Sequence, residues 1–247
     1  MAVTWLTAFL DTEAPDAPAV EAYWAAVTGW PVSTRRGPDG EFATLEPPDG
    51  DGPLKVQVVG SAPPNGMHLD VHTGDIEGLA GDATRLGAQV RETGLGYATG
   101  HSPGGLTFCL VDHEADRRPG PVAWPGGTSL VDQVCLDIPA AQFDAEARFW
   151  SLLTGWPHVE GGSPEFDRLL PPTGQPLRVL LQRVDEEDGP VRMHLDLASE
   201  DRAAEVERHV ALGGRVVRTT ENWTTLLDPS GRAYCVTDRD PVRGTIG

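Results

Sequence analysis

The chain has 247 residues, of which 39% are hydrophobic, enough for ordinary globular cores and against wholesale disorder. Its 19 basic and 37 acidic side chains give a formal charge of −18. Such a surface repels phosphate backbones and anionic headgroups, so neither nucleic acid nor a membrane is an expected partner.

TWLTAFLD reads as a strand, and Ala17 to Thr28 as a helix with Val20, Trp24 and Val27 on one face. Gly29 follows, where a helix C-terminus favours positive φ. Short strands are expected at EFATLE and LKVQVV, then at MHLDVH. Ile76 to Leu86 reads as a second helix closed by Gly87, and three more strands end in LTFCLV. Asp112 to Gly127, DHEADRRPGPVAWPGG, has the charge, prolines and glycines of a linker. After it the same order returns, with FDAEARFWSLLTGW and DRAAEVERHVALGG as helices.

The return is a duplication. Trp24, Thr28, Gly29, Trp30 and Pro31 recur as Trp150, Thr154, Gly155, Trp156 and Pro157, a shift of 150 − 24 = 126. Met67-His68-Leu69-Asp70 recurs as Met193-His194-Leu195-Asp196, and Leu10-Asp11 as Leu136-Asp137. Pro103, Gly105 and Cys109 match Pro229, Gly231 and Cys235. A period of 126 is domain-sized. The expected domains are residues 1–112 and 128–240, joined by a linker over 113–127. Each domain holds two βαβββ modules. One module alone leaves sheet edges open and has too little core. Paired, two modules make an α+β unit, an eight-stranded incomplete barrel with a concave face and helices outside.

Phe149-Trp150, the LLQRV run Leu180 to Val184, His194-Leu195-Asp196-Leu197, Leu212-Gly213-Gly214 and Asp228-Pro229-Ser230-Gly231 carry a resemblance. In order and spacing the chain resembles the glyoxalase-like branch of the vicinal-oxygen-chelate (glyoxalase/bleomycin-resistance/dioxygenase) superfamily. The first half is more worn, with Ser102 to Gly105 reading SPGG in place of DPxG. The resemblance implies the paired βαβββ fold. Its functions range from metal-dependent isomerases, lyases, epimerases and ring-cleaving dioxygenases to metal-free proteins that sequester antibiotics, so the fold alone does not choose among them.

The resemblance also implies a divalent metal held by His and Glu or Gln on the first and last strands of the modules. By chain order the second half offers Gln133, Gln182, His194 and Cys235, and the first Thr7, Gln57 or Val59, His68 and Cys109. The closing glutamate is a cysteine in both halves. One imidazole, two amides and a thiol make a poor site for hard cations, which need carboxylates. A zinc site needs at least three good ligands. His68, Asp70 and His72 share a strand face, but residues i and i+4 lie ~13 Å apart along a strand, too far for one ion. His72 is therefore read as a rim residue.

Other candidates carry a bland reading beside a functional one. His68 and His194 either anchor a strand through a nearby aspartate or exchange a proton with a bound ligand. Trp24, Trp30, Trp150 and Trp156 read as core, whereas Tyr97 and Trp223 are placed to line a cup. The three cysteines, Cys109, Cys135 and Cys235, lie in apolar runs without CxxC spacing, as small buried hydrophobes with no disulfide framework. Asp185 to Gly189 reads as a solvated hairpin loop. No phosphate loop, nucleophile elbow or HExxH pattern is present.

The expected function is binding of a partly apolar small organic molecule in a barrel cup, without an obligatory metal or other cofactor. Tyr97, Trp223, Asp70, Asp196, Gln133, Cys109 and Cys235 would line it. The alternative is a metal-dependent lyase, isomerase or dioxygenase using zinc, iron, manganese or nickel. There His194 is catalytic, with His68 secondary, and Gln182 and His194 hold the metal. MAVTWLTAFLDTEAPD has no basic leader and no long apolar core, so a cytoplasmic monomer or homodimer is expected.

Overall fold

The computed structural model describes residues 3–62, 66–92, 95–186 and 188–245. The first half runs β1 (Trp5–Glu13), α1 (Ala17–Thr28), β2 (Phe42–Thr44), β3 (Leu54–Val59), β4 (Met67–His72), α2 (Ile76–Arg85), β5 (Gln89–Glu92), β6 (Tyr97–His101) and β7 (Thr107–Val111). The second runs β8 (Val122–Trp124), β9 (Gly127–Pro139), α3 (Phe143–Thr154), β10 (His158–Ser163), β11 (Phe166–Leu169), β12 (Arg178–Val184), β13 (Arg192–Ser199), α4 (Arg202–Ala211), β14 (Arg215–Thr219), β15 (Trp223–Leu227) and β16 (Ala233–Thr237). The segment read as a linker thus contributes β8, which pairs with β9. Within the Asp185 to Gly189 loop, Glu187 lies outside the described residues.

Each half is one mixed sheet. The order is β2-β3-β1-β4-β7-β6-β5 in the first and β10-β11-β12-β9-β13-β16-β15-β14 in the second, with β8 beside β9. The modules meet through the antiparallel pairs β1–β4 and β9–β13 at the centre of each sheet. The first sheet has seven strands because Val32 and Arg36 form only isolated bridges to Leu45 and Phe42 where the second half builds β10. A turn closed by Gly40 N–H to Gly37 O, with Pro38 inside it, ends the pairing there. Gly29 and Gly155 end α1 and α3 at φ 69° and 72°, the left-handed conformation that glycine adopts without strain.

Strand alternation decides what faces the helices. Leu6, Ala8 and Leu10 of β1 enter the core with Val20, Trp24 and Val27, while Trp5, Thr7, Phe9 and Asp11 take the opposite, concave face. The core is continuous across both halves. Trp24 of α1 packs on Tyr234 of β16 at 5.1 Å, and its indole N–H donates to Asp228 at 3.0 Å. Phe149 and Trp150 of α3 meet Phe108 of β7 at 5.9 and 5.7 Å. The helices on the convex faces therefore tie each half to the other sheet. Arg208 of α4 donates to the carbonyls of Ala26 and Val27 at the end of α1 (2.8 and 2.7 Å) and lies 3.7 Å from the centre of the Trp124 ring. All four tryptophans read as core, Trp24, Trp30, Trp150 and Trp156, are buried.

Two outcomes follow from this shared core. Urea should unfold both halves in a single transition. Trp24→Ala should lower the stability of the whole chain by about 3–5 kcal/mol, because it leaves a large cavity. Two separate transitions by fluorescence and circular dichroism would contradict the shared core. The second outcome concerns Glu205, which accepts hydrogen bonds from Ser129 at 2.6 Å, Arg208 at 2.7 and 2.9 Å and His209 at 3.1 Å. Burial works against its charge, yet the bonds from His209, Arg208 and Ser129 hold its carboxyl at about 2, below the ordinary 4.5. A depressed carboxyl contributes stability above its unfolded pKa and loses it as pH falls toward the folded one. Between pH 4.5 and 2 the wild type should lose on the order of 3 kcal/mol that Glu205→Gln never had, as read from urea midpoints against pH.

Candidate functional site

In the second half three strands bring one cluster together. β13 carries His194 and Asp196, β9 carries Gln133, Cys135 and Asp137, and β16 carries Cys235, with Asp196 opposite both Gln133 and Cys235 in register. His194 Nδ1 meets Asp137 Oδ2 at 3.0 Å, and Nε2 faces Asp196 Oδ1 at 3.3 Å and Cys235 Sγ at 3.6 Å. Gln133 donates to the other Asp196 oxygen at 2.5 Å, and Arg239 Nη1 stands 3.6 Å from it. Arg239 arrives from the segment after β16, is buried, and also pairs with Asp132.

Burial alone would discharge His194. The groups around it, Cys135, Asp137 and Cys235, with the hydrogen bond to Asp137, outweigh burial and lift the imidazole well above its usual range. Burial likewise opposes charge on Asp196, but the adjacent His194, then Arg239 and Gln133, hold its carboxyl below the usual value. The cluster is an imidazole between two carboxyl groups, Asp137 at Nδ1 and Asp196 at Nε2.

The first half repeats the plan. His68 Nδ1 meets both Asp11 oxygens at 2.9 and 2.7 Å, and Nε2 faces Asp70 Oδ1 at 3.5 Å. Despite burial, the hydrogen bonds to Asp11, Asp70 and Cys109 raise the His68 pKa well above the ordinary value. Phe9 of β1 stacks on the imidazole at 4.5 Å and 13° between planes. His72 corrects the sequence reading: it is buried rather than at a rim, bonded through Nε2 to Thr7 Oγ1 and through Nδ1 to the His113 carbonyl, both at 2.9 Å. Thr73 N–H donates to the Val111 carbonyl beyond the end of β4, and the chain after β7 brings the His113 carbonyl over that edge. His113 and Arg239 are equivalent by the repeat, 239 − 113 = 126.

Two aromatic rings meet on the concave face of the second half. Phe166 of β11 and Trp223 of β15 meet edge to face at 5.6 Å. These strands are five places apart in the sheet, about 24 Å if it were flat. The sheet is therefore strongly curled, and the two rings close across it. Phe42 and Tyr97 hold the matching positions in the first half, where Phe42 turns an edge to Phe9 at 6.2 Å and Tyr97 is 37% exposed.

The structure unites His194, Asp196, Gln133 and Cys235, and separately His68, Asp70 and Cys109. Gln182 stands beside Cys135, accepting from its thiol at 3.6 Å, and donates to Glu165 at 2.7 Å. Trp223 lies away from both groups, against Phe166. The sequence reading missed Asp11, Asp137 and Arg239, which complete the charges, and Phe9, Phe42 and Phe166, which shape the walls. The paired Leu-Asp at both strand ends was the available signal for the two aspartates. The premise that carboxylate ligands are lacking is also corrected, since Asp70 and Asp196 stand beside their imidazoles.

The donor chemistry admits a divalent ion. His, Asp and Cys ligand atoms lie within 4.8 Å of one another in the groups His68, Asp70, Cys109 and His194, Asp196, Cys235. Asp196 Oδ1 is buried and makes no hydrogen bond among the described residues. An imidazole whose Nδ1 is tied to a carboxylate is the usual arrangement behind a metal-bound Nε2, and a nitrogen, oxygen and sulfur set suits zinc better than magnesium.

Comparison with known proteins agrees with this architecture. A search of the curated proteins gives no match. Among solved structures, the Mn(II)-bound glyoxalase from Novosphingobium aromaticivorans aligns over 96% of this chain and 81% of its own, at 15% identity and a TM-score of 0.61. An extradiol ring-cleaving dioxygenase from B. fuscum aligns over 97% and 72%, at 15% identity and 0.65. The 2,2',3-trihydroxybiphenyl 1,2-dioxygenase from Sphingomonas wittichii strain RW1 aligns over 96% and 89%, at 14% and 0.58. At these identities the likeness is one of fold. The family model described as a glyoxalase-like domain matches twice, over residues 7–111 and 133–237, and the chain belongs to that family as a tandem member of the vicinal-oxygen-chelate superfamily.

Proposed function

We propose that the chain binds small, partly apolar organic molecules on its concave faces, anchored at the bracketed imidazoles and without an obligatory metal. One observation carries this reading: both ring nitrogens of His194 already face carboxylates, and the second oxygen of Asp196 is held by Gln133 and Arg239. The imidazole and a guanidinium already occupy the positions around these carboxyl groups. An added cation would have to displace the imidazole proton beside that guanidinium. Phe166 and Trp223 supply flat apolar walls.

A second reading has its own support, the convergence of His194, Asp196 and Cys235 donors. Those three side chains would hold a divalent ion, which would polarise an oxygen of a bound substrate. Under that reading the chain is a lyase, isomerase or dioxygenase, and Gln133 and Asp137 orient the ligands.

The two readings separate in one titration. With 2-naphthol as probe, quenching of Trp223 emission should be saturable and unchanged by a chelator, and His194→Ala should weaken it about tenfold. Trp223→Phe identifies the reporting ring. Binding that appears only on adding zinc, and is lost in Cys235→Ser, would overturn the metal-free reading in favour of the second.

A further inference from the structure

The two concave faces are not chemically alike. Lys55 of β3 sits opposite Phe9 in register, on the concave face of the first half. Leu180 of β12, opposite Cys135, takes that place in the second. The Lys55 amine lies 5.5 Å from the centre of the Phe9 ring, and that ring in turn stacks on His68. Among the described residues Lys55 has no ion-pair partner. Neither has Arg36, which reaches Thr44 Oγ1 of neighbouring β2 at 2.7 Å.

These groups share one field. Burial, the largest effect, lowers the Lys55 pKa, with Asp70 opposing it and Arg36 adding to it. His113 is lowered by burial and then by Lys55 and Arg36. His72 is lowered by burial, and Lys55 and His113 act against its charge. Thr44, the acceptor from Arg36, stands opposite Lys55 in register, and the His72 and His113 rings lie 5.6 Å apart, so these cationic groups gather at one side of the first sheet on a chain of charge −18. The carboxylates facing them are engaged elsewhere. Asp11 and Asp70 bracket His68, and Asp51 accepts from the backbone N–H groups of Asp116 and Arg117, both at 3.0 Å. Trp5, on the same sheet face, has a buried indole N–H with no acceptor among the described residues.

A half-buried ammonium and an exposed guanidinium without ion-pair partners, and a buried indole N–H without an acceptor, stand beside stacked rings and are complementary to a flat molecule carrying an anionic group. We propose that the first concave face is a site for aromatic carboxylates, with the acid group at Lys55 and Arg36 and the ring against Phe9 and Phe42. The second face, with Leu180 at that place, takes neutral molecules. The assignment rests on the reading of the concave faces as ligand sites and names the ligand class for one of them.

The test is calorimetric titration of the full chain with 2-naphthoate and with its neutral isostere 2-naphthamide. The wild type should bind the carboxylate about tenfold more tightly than the amide, a charge-assisted hydrogen bond in effect. The preference should shrink in high salt. Lys55→Met should abolish the preference, while Lys55→Arg should keep it, with circular dichroism confirming the fold of both. Amide binding without a carboxylate preference, or a preference that survives in Lys55→Met, would overturn the assignment alone. Failure of both probes to bind would overturn the ligand-site reading and the assignment with it.

Discussion

An imidazole held between two carboxylates, on strands that meet at the centre of a curled sheet, is the interaction on which the account depends. His194 faces Asp137 and Asp196, and His68 faces Asp11 and Asp70. Two buried carboxylates repel unless a positive charge stands between them. The imidazole stands between them and also fixes the spacing of the first strands of the two modules. The same contacts that stabilise the centre of each sheet therefore define the chemistry of its concave face.

Packing on the other side makes the arrangement rigid. Leu6, Ala8 and Leu10 of β1 point into a core that runs through both halves, so β1 cannot shift without disturbing α1. Trp24 and Tyr234 join α1 to the second sheet, and Phe108 joins α3 to the first. Arg232 extends the link from the core to the cluster: it pairs with Asp228, the acceptor of the Trp24 indole, and donates to the Asp11 carbonyl at 2.7 Å. A disturbance at the interface of the halves thus reaches the backbone of an aspartate that orients His68.

Most of the architecture was legible because it rests on local rules and on repetition. Val20, Trp24 and Val27 at helical spacing before Gly29 gave the limits of α1, and the 126-residue offset gave the two halves. The site was less legible. His68 and His194 stood out through a repeated four-residue motif, but their Nδ1 partners lie 57 positions earlier, where only strand register brings them close. Asp11 and Asp137 looked like strand-end residues. Arg239 was harder still, because a charged residue beyond the last predicted strand carries no periodicity to suggest burial. His72 was misread because reach along a strand was considered without the chain that folds over its end. Divergence between the halves, such as Lys55 against Leu180, is visible in sequence only once the strands are aligned in space.

The central claim is that each cluster is complete with its own side chains. Native mass spectrometry of the intact chain, purified without chelators and exchanged gently into volatile buffer, tests this most directly. The account predicts the mass of the polypeptide alone. A mass raised by one or two divalent ions per chain, and restored to that of the polypeptide in a chain lacking both Cys109 and Cys235, would contradict it.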